Sequence, residues 1–192
     1  MKIENKLNHN DFVILLNNKD GIVKNSVGII KKIEENYVKV FFIGKKKTLL
    51  VKNNDIQLID IYKTGKPYDV KICNVCHILK PNSDFEINQT DAKGRKTTRP
   101  SCRECRKDIN GIGLNNEDSK RMDKEKPSGI FTCPICKKTS IVGVTANLVK
   151  DHDHKTGKGR AWICDSCNTG LGRFKDDVNL LQEAIKYLKS FE

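Results

Sequence analysis

Short apolar runs alternate with turn-forming stretches through residues 1–62. DFVILL gives way to NNKDG, IVKNSVGIIKKI to EEN, YVKVFFI to GKKK, and TLLVK to NNDIQLID. Runs of this length, rich in Val, Ile and Phe and bounded by Asn, Asp and Gly, mark half-buried strands. The rhythm predicts four or five strands closing into a small antiparallel β-barrel. KTGKPYDV, residues 63–70, carries turn residues without an apolar period and reads as a linker. GIGLNNEDSKRMDKEKPSGI, residues 111–130, also lacks a period and reads as a connector with room for a short helical piece. Near the end the period becomes helical. Val178, Leu181, Ile185 and Leu188 line one face behind Asp176 or Asp177, either of which can cap the helix. The expected role of this helix is to pack over the unit that precedes it.

The rest of the chain is organised by cysteine. Eight cysteines form four Cys-x-x-Cys pairs. Cys73/Cys76 with Cys102/Cys105 make one set, and Cys133/Cys136 with Cys164/Cys167 make another. Four thiolates complete a tetrahedral Zn²⁺ with no open position, which is a structural site. A spaced pair of such knuckles is a far stronger signal than a single one. The sets repeat at an offset of 60 residues at the leading cysteine (Cys73, Cys133) and 62 at the trailing pair (Cys102, Cys164). DAKGRK in the first also echoes DHKTGKGR in the second. Both features indicate an internal duplication.

Composition narrows the class. Hydrophobic residues make up 37% and charged residues 31%, which favours several small stapled units over one large core. The formal charge is +12, and two Cys₄ zinc sites would lower it by four. The excess that remains favours a polyanionic partner. No apolar run has membrane length, and the start, MKIENKLNHNDF, is not a secretory signal. Paired cysteines without such a signal point to thiolate–metal chemistry in a reducing cytoplasm. Residues 1–62 carry 11 basic and 7 acidic residues, and Lys45, Lys46 and Lys47 fall at a predicted hairpin tip, suited equally to a phosphate contact or to solvent.

The loop between the second cysteine pairs holds Asp151-His152-Asp153-His154, and Asn168 directly follows Cys167. Phosphodiester hydrolysis requires a base that activates water and a cation opposite it that stabilises the leaving oxygen. An imidazole titrates near neutral pH and suits the base. Asp and Asn supply hard oxygens suited to Mg²⁺ or Mn²⁺. Asp151 and His152 are adjacent, so on a strand they point to opposite faces and flank a phosphate from different sides. The first copy has no Asp-His pair, and Arg106 stands where the second has Asn168, so it is expected to be catalytically silent. Its basic run of Lys93, Arg95, Lys96 and Arg99 suits DNA contact, with a solvated hairpin as the alternative.

The stretch DHDHKTGKGRAWICDSCNTGLGRFKDD resembles the core of the His-Me finger (ββα-metal, HNH-like) endonucleases of the phage recombination endonuclease VII type, over roughly residues 131–190. The resemblance implies His152 as general base, Asp151 and Asn168 as ligands of one catalytic Mg²⁺, and the flanking cysteines as structural zinc ligands. His154 fits the pattern as a phosphate contact or as a hairpin support. More loosely, residues 1–62 resemble SH3-like barrels. The two-zinc arrangement is similar to the small type II restriction endonucleases of the family.

The expected molecule is thus an α+β protein in three parts. A small barrel spans 1–62, a silent DNA-contacting zinc repeat spans 63–127, and a zinc repeat carrying the nuclease site and closing helix spans 128–192. It would cut a short palindromic site in double-stranded DNA as a homodimer, because one active site per chain needs a second chain to cut both strands. A branched-DNA (Holliday junction) resolvase or homing-type nickase is the alternative within the class. A non-catalytic zinc-ribbon DNA-binding protein is the alternative outside it, and it would have no use for an Asp–Asn oxygen pair beside a histidine.

Overall fold

A computed structural model describes residues 6–192, which divide into two compact units, one ending at Lys107 and the other beginning at Asp108. The first unit opens with five strands: β1 (Phe12–Leu15), β2 (Val27–Ile33), β3 (Tyr37–Phe42), β4 (Lys47–Lys52) and β5 (Ile56–Leu58). They form one antiparallel sheet in the order β4-β3-β2-β1-β5. Strand alternation decides which side chains go inward. Val38, Val40 and Phe42 on β3 are buried while Tyr37 and Lys39 are exposed, and Leu49 and Val51 continue the core on β4. Each such side chain contributes about 1.5–3 kcal/mol by leaving water. Gly28 sits so close to Val40 and the Phe41 carbonyl that any side chain there would collide with them. The expected strand count is met, but no pairing joins β4 to β5 among the described residues, so a hydrogen-bonded closed barrel is not found.

Residues Lys66–Lys107 attach to that sheet. Strands β6 (Val70–Ile72) and β7 (Leu79–Pro81) pair around the Cys73/Cys76 knuckle, and β8 (Ile87–Thr90) pairs with β9 (Lys96–Thr98). Helix α1 (Arg103–Asn110) then begins at the second cysteine pair. The Val27 amide donates to the His77 carbonyl (2.8 Å) and the Leu79 amide to Asn25 (2.9 Å), so main-chain bonds dock the knuckle on the sheet.

In the second unit the same order recurs. Helix α2 (Asn116–Lys124) precedes the hairpins β10 (Ile130–Thr132)/β11 (Thr139–Ile141) and β12 (Leu148–His152)/β13 (Gly159–Cys164); α3 (Asp165–Arg173) and α4 (Val178–Lys189) follow. Two hairpins and a helix thus appear once around each cysteine set, as a duplication requires. The apolar core here is small, with Ile163 and two buried cysteines supported by Phe131, Val149 and Leu171.

The stretch expected as a connector is part of this unit's framework. The Asn115 side chain caps α2 by accepting from the Asp118 amide (2.8 Å). The Asp118 carboxylate accepts from the Gly159 amide (2.9 Å) and pairs with Arg121 (2.8 Å); with Arg121 the foremost cause, its carboxyl is held down to about 2. The Ile112 amide donates to the His154 carbonyl (2.7 Å) and the Asn115 amide to Gly157 (2.9 Å), strapping residues 112–115 along the DHDH turn. Met122 is 1% exposed, and its carbonyl accepts from Trp162 Nε1 at 2.9 Å. Met122→Ala is expected to cost about 2–5 kcal/mol, read as a lower melting temperature of the zinc-loaded protein.

Helix α4 starts where expected, with Asp177 accepting from the Asn179 (2.8 Å) and Leu180 amides. Its apolar face does not cover the zinc unit. Val178 (65%), Ile185 (52%) and Leu188 (65%) are exposed, and Leu181 is only half-buried. Periodicity shows that a face is apolar without showing what meets it. No described helix is long and apolar enough to cross a membrane.

Candidate active site

The cysteines converge as two sets of four, each with its sulfurs within 4.8 Å of one another. None is in a disulfide. Cys136 and Cys164 Sγ lie 3.9 Å apart, close to the roughly 3.8 Å edge of a tetrahedron with 2.3 Å metal–sulfur bonds. Backbone N–H groups already point at sulfur: Cys102 and Val75 donate to Cys73 Sγ at 3.3 and 3.4 Å. Burial opposes ionisation of Cys133, yet the amides of Cys164, Cys136 and Ile135 pull its thiol down to about 6. Burial, joined by the sulfurs of Cys164, Cys136 and Cys133, pushes Cys167 up to about 12. In the first set burial is again opposed by amides, bringing Cys73 to about 7, whereas burial raises Cys76 to about 11. Four crowded sulfurs cannot all ionise unless a cation sits among them, and both sets fit structural Zn²⁺.

The Cys164/Cys167 pair also sets the frame of the neighbouring site. Cys164 ends β13 and precedes α3, Cys167 lies in the first turn, and Asn168, half-buried, comes next. The Asp165 amide donates to the Asn147 carbonyl (3.0 Å), and Leu171 packs in the cluster with Val149 and Ile163. Helix α3 therefore lies on the β12–β13 hairpin.

On β12, Asp151 is 6% exposed and His152 is half-buried at the strand end. The ladder shifts register between Lys150 and His152: Lys150 opposes Trp162, and His152 opposes Gly159. Arg160 and Ala161 thus face Asp151 alone, a bulge that bends the strand and re-aims a side chain. The Arg160 guanidinium stands 3.4 Å from Asp151 Oδ2, donates to Asp176 Oδ2 at 2.7 Å, and donates to the His152 carbonyl at 2.8 Å. Burial pushes the Asp151 carboxyl up, Arg160 pulls it down, and Asp176 pushes it up again. A buried carboxylate of this kind needs compensating positive charge. Asp151 and Asn168 both carry hard oxygens of the kind that suit Mg²⁺ or Mn²⁺.

The other two DHDH residues separate in role. Asp153 Oδ1 accepts from the Lys155 (2.7 Å) and Thr156 (2.9 Å) amides, which hold its carboxyl low and fold the turn. The His154 ring lies 4.8 Å from that of His152, centroid to centroid. In the first repeat, Lys93 and Lys96 are exposed on the β8–β9 hairpin. Arg95 pairs with Asp91 (2.6 Å) and Arg99 with Glu86 (3.6 Å). Sequence reasoning missed Arg160, Asp176 and the α2 strap. The strand bulge has no signature in residue type, and the sequence marks Asp176 only as a possible helix cap.

Three family models together span nearly the whole chain. "Restriction endonuclease SH3 domain" matches residues 7–59, "His-Me finger endonuclease beta4-alpha2 domain" matches 60–111, and "Recombination endonuclease VII" matches 104–190. Thiolate cages, Asp-His strand end and trailing helix belong together in one class, and the chain is a member of the His-Me finger (ββα-Me) endonucleases. Among solved structures it is similar to the ββα-Me type II restriction endonuclease Hpy99I, at 59% identity and a TM-score of 0.93, over 97% of this chain and 100% of that one. It is also 43% identical over 58 residues to the gene 59 protein of Mycobacterium phage D29, and 40% identical over 57 residues to that of Mycobacterium phage L5. Each match spans 34% of the phage protein's length.

Proposed function

We infer that this protein is a Mg²⁺-dependent DNA endonuclease of the type II restriction kind, which cuts a short palindromic duplex site as a homodimer. The observation that carries the reading is the pairing of a buried carboxylate, Asp151, with His152 at the end of a strand packed under the helix that bears Asn168. His152 takes a proton from the water that attacks phosphorus, while the bond to the leaving oxygen on the opposite side breaks. Asp151 and Asn168 would hold the divalent cation, which supplies positive charge to the leaving oxygen. His154, beside His152, reaches a phosphate oxygen or steadies the ring next to it. Lys93 and Lys96 contact the DNA backbone, with Arg95 and Arg99 joining once released from Asp91 and Glu86.

Duplex cleavage at one site follows from two copies related by a two-fold axis, which present the same residues to each strand. Digesting plasmid and phage DNA with Mg²⁺ and sequencing the ends tests this directly. Discrete fragments with one shared palindrome at every end are expected. Nicks alone, or cutting confined to an added four-way junction, would replace the restriction reading with a nickase or a resolvase. Intact DNA under every metal would leave a zinc-ribbon binding protein. Asn168→Ala is expected to raise the metal concentration needed for half-maximal cutting by about 10–100-fold, as loss of a group at a metal site does. A metal dependence matching wild type would contradict the ligand assignment.

A further inference from the structure

We propose that Arg160 and Asp176 form a positioning clamp that fixes the candidate Mg²⁺ pocket, holding Asp151 on its strand in register with the helix that carries Asn168. The inference rests on the reading of Asp151 and Asn168 as cation ligands. It adds two residues that act through the main chain and side chain of the site rather than as cation ligands.

Three contacts meet on one guanidinium. Arg160 donates to Asp176 Oδ2 at 2.7 Å and to the His152 carbonyl at 2.8 Å, and it lies 3.4 Å from Asp151 Oδ2. The first two have good hydrogen-bond distances, and the third is a charge contact only. The guanidinium is therefore anchored on Asp176 and on the main chain of His152, and it leans on Asp151 without capping it. Arg160 thus sets a positive charge beside the nearly buried Asp151 carboxylate without a close hydrogen bond to it.

Position reinforces the assignment. Both carboxylates are nearly buried, with side-chain exposures of 8% for Asp151 and 12% for Asp176. Asp176 lies in the turn between α3 and α4, so the ion pair ties the far end of the Asn168 helix to the hairpin that bears Asp151. The near end of that helix is already fixed at Cys164 and Cys167. Lys175 and Asp176 are consecutive non-glycine residues in the left-handed region, at φ 57° and 53°. L-residues avoid this conformation. The turn is held by the Lys175 amide donating to the Gly172 carbonyl and the Asp176 amide to Leu171, and it turns the Asp176 side chain onto Arg160. The register shift opposite Asp151 does the same from the other strand. Two local departures from regular backbone thus converge on a single ion pair beside the site.

The fork geometry matters. Nη2 donates to both Asp176 and the His152 carbonyl while Nη1 faces Asp151, and the single ammonium of a lysine cannot stand in both places at once. Arg160→Lys should therefore behave like a loss, whereas Asp176→Glu retains the anchor.

The test measures Mn²⁺ binding by electron paramagnetic resonance on the full-length, zinc-loaded protein without DNA. Cleavage of a DNA that the wild type cuts is followed in parallel. Asp176→Ala and Arg160→Lys are expected to weaken Mn²⁺ binding about 10–100-fold and to lower kcat more than they change KM. Asp176→Glu should stay within about threefold of wild type. Zinc content of two per chain and an unchanged melting temperature show that the fold is intact. Mn²⁺ binding and kcat within about twofold of wild type in both loss variants would overturn the clamp. If a loss variant fails to fold, Asp176→Asn, which keeps the size and removes the charge, gives the same reading. Failure of the underlying assignment looks different: wild-type Mn²⁺ binding would then survive Asp151→Asn undiminished.

Discussion

His152→Ala is expected to lower the rate of DNA cleavage by about 10²–10⁴-fold, the range that a positioned general base contributes. DNA affinity should stay near the wild-type value. His152 is half-buried at the end of β12 and outside the apolar cluster, so truncating it leaves the hairpin, the α2 strap and both cysteine sets in place. Under the proposed function the substitution removes the proton acceptor and spares the residues proposed to contact DNA. A gel-shift titration beside a single-turnover cleavage assay separates the two effects. Cutting at the wild-type rate would remove His152 as the base and would direct attention to His154, whose ring stands against it.

Cys133→Ser, or chelation of zinc, is expected to unfold the second unit outright. Zinc binding in small thiolate domains amounts to about 10–16 kcal/mol at neutral pH. A whole domain retains only about 5–15 kcal/mol of net stability. With Ile163 and two cysteines as its fully buried apolar cluster, this unit has little else to replace that contribution. Cys133 is 1% exposed, so serine there leaves a buried hydroxyl and three sulfurs. Cys136 lies at the surface and should tolerate the same change better. Elemental analysis should find two zinc ions per chain in the wild type and one in Cys133→Ser, with loss of the cooperative melt of the second unit. Two zinc ions and an unchanged melt in the variant, or no zinc in the pure protein, would contradict the cage.

Legibility in the sequence followed the kind of interaction involved. Strands of the first unit were readable because Val38, Val40 and Phe42 alternate with solvent-facing residues, and burial has the same period. Cysteine spacing exposed both cages, since metal geometry allows few spacings. The Asp177 cap was readable because it acts within one turn. Helix α2 was not, since it buries a single apolar side chain, Met122, and otherwise holds through Asp118, Ser119 and Asn115, whose partners lie 31 to 42 residues away along the chain. Basic residues of the first hairpin could be counted, but their ion pairs with Asp91 and Glu86 depend on a turn that composition does not specify. In DHDH the motif marked Asp151 and His152, which the strand carries buried and half-buried, whereas the turn role of Asp153 rests on main-chain amides invisible in residue type. Closure of the first sheet is likewise a matter of strand pairing at its two ends, on which periodicity is silent.

Arg160 belongs to no motif that the sequence displays. One extra residue in β13 opposite Asp151 brings a guanidinium to the strand end, where it meets Asp176 from the turn between α3 and α4.

A crystal structure of the protein on a cognate duplex with Mn²⁺ is the most direct measurement. The expected result is anomalous density for one Mn²⁺ about 2.1–2.2 Å from oxygens of Asp151 and Asn168, with His152 on the opposite side of the scissile phosphorus. A cation bound elsewhere, or His152 facing away from that phosphate, would contradict the account.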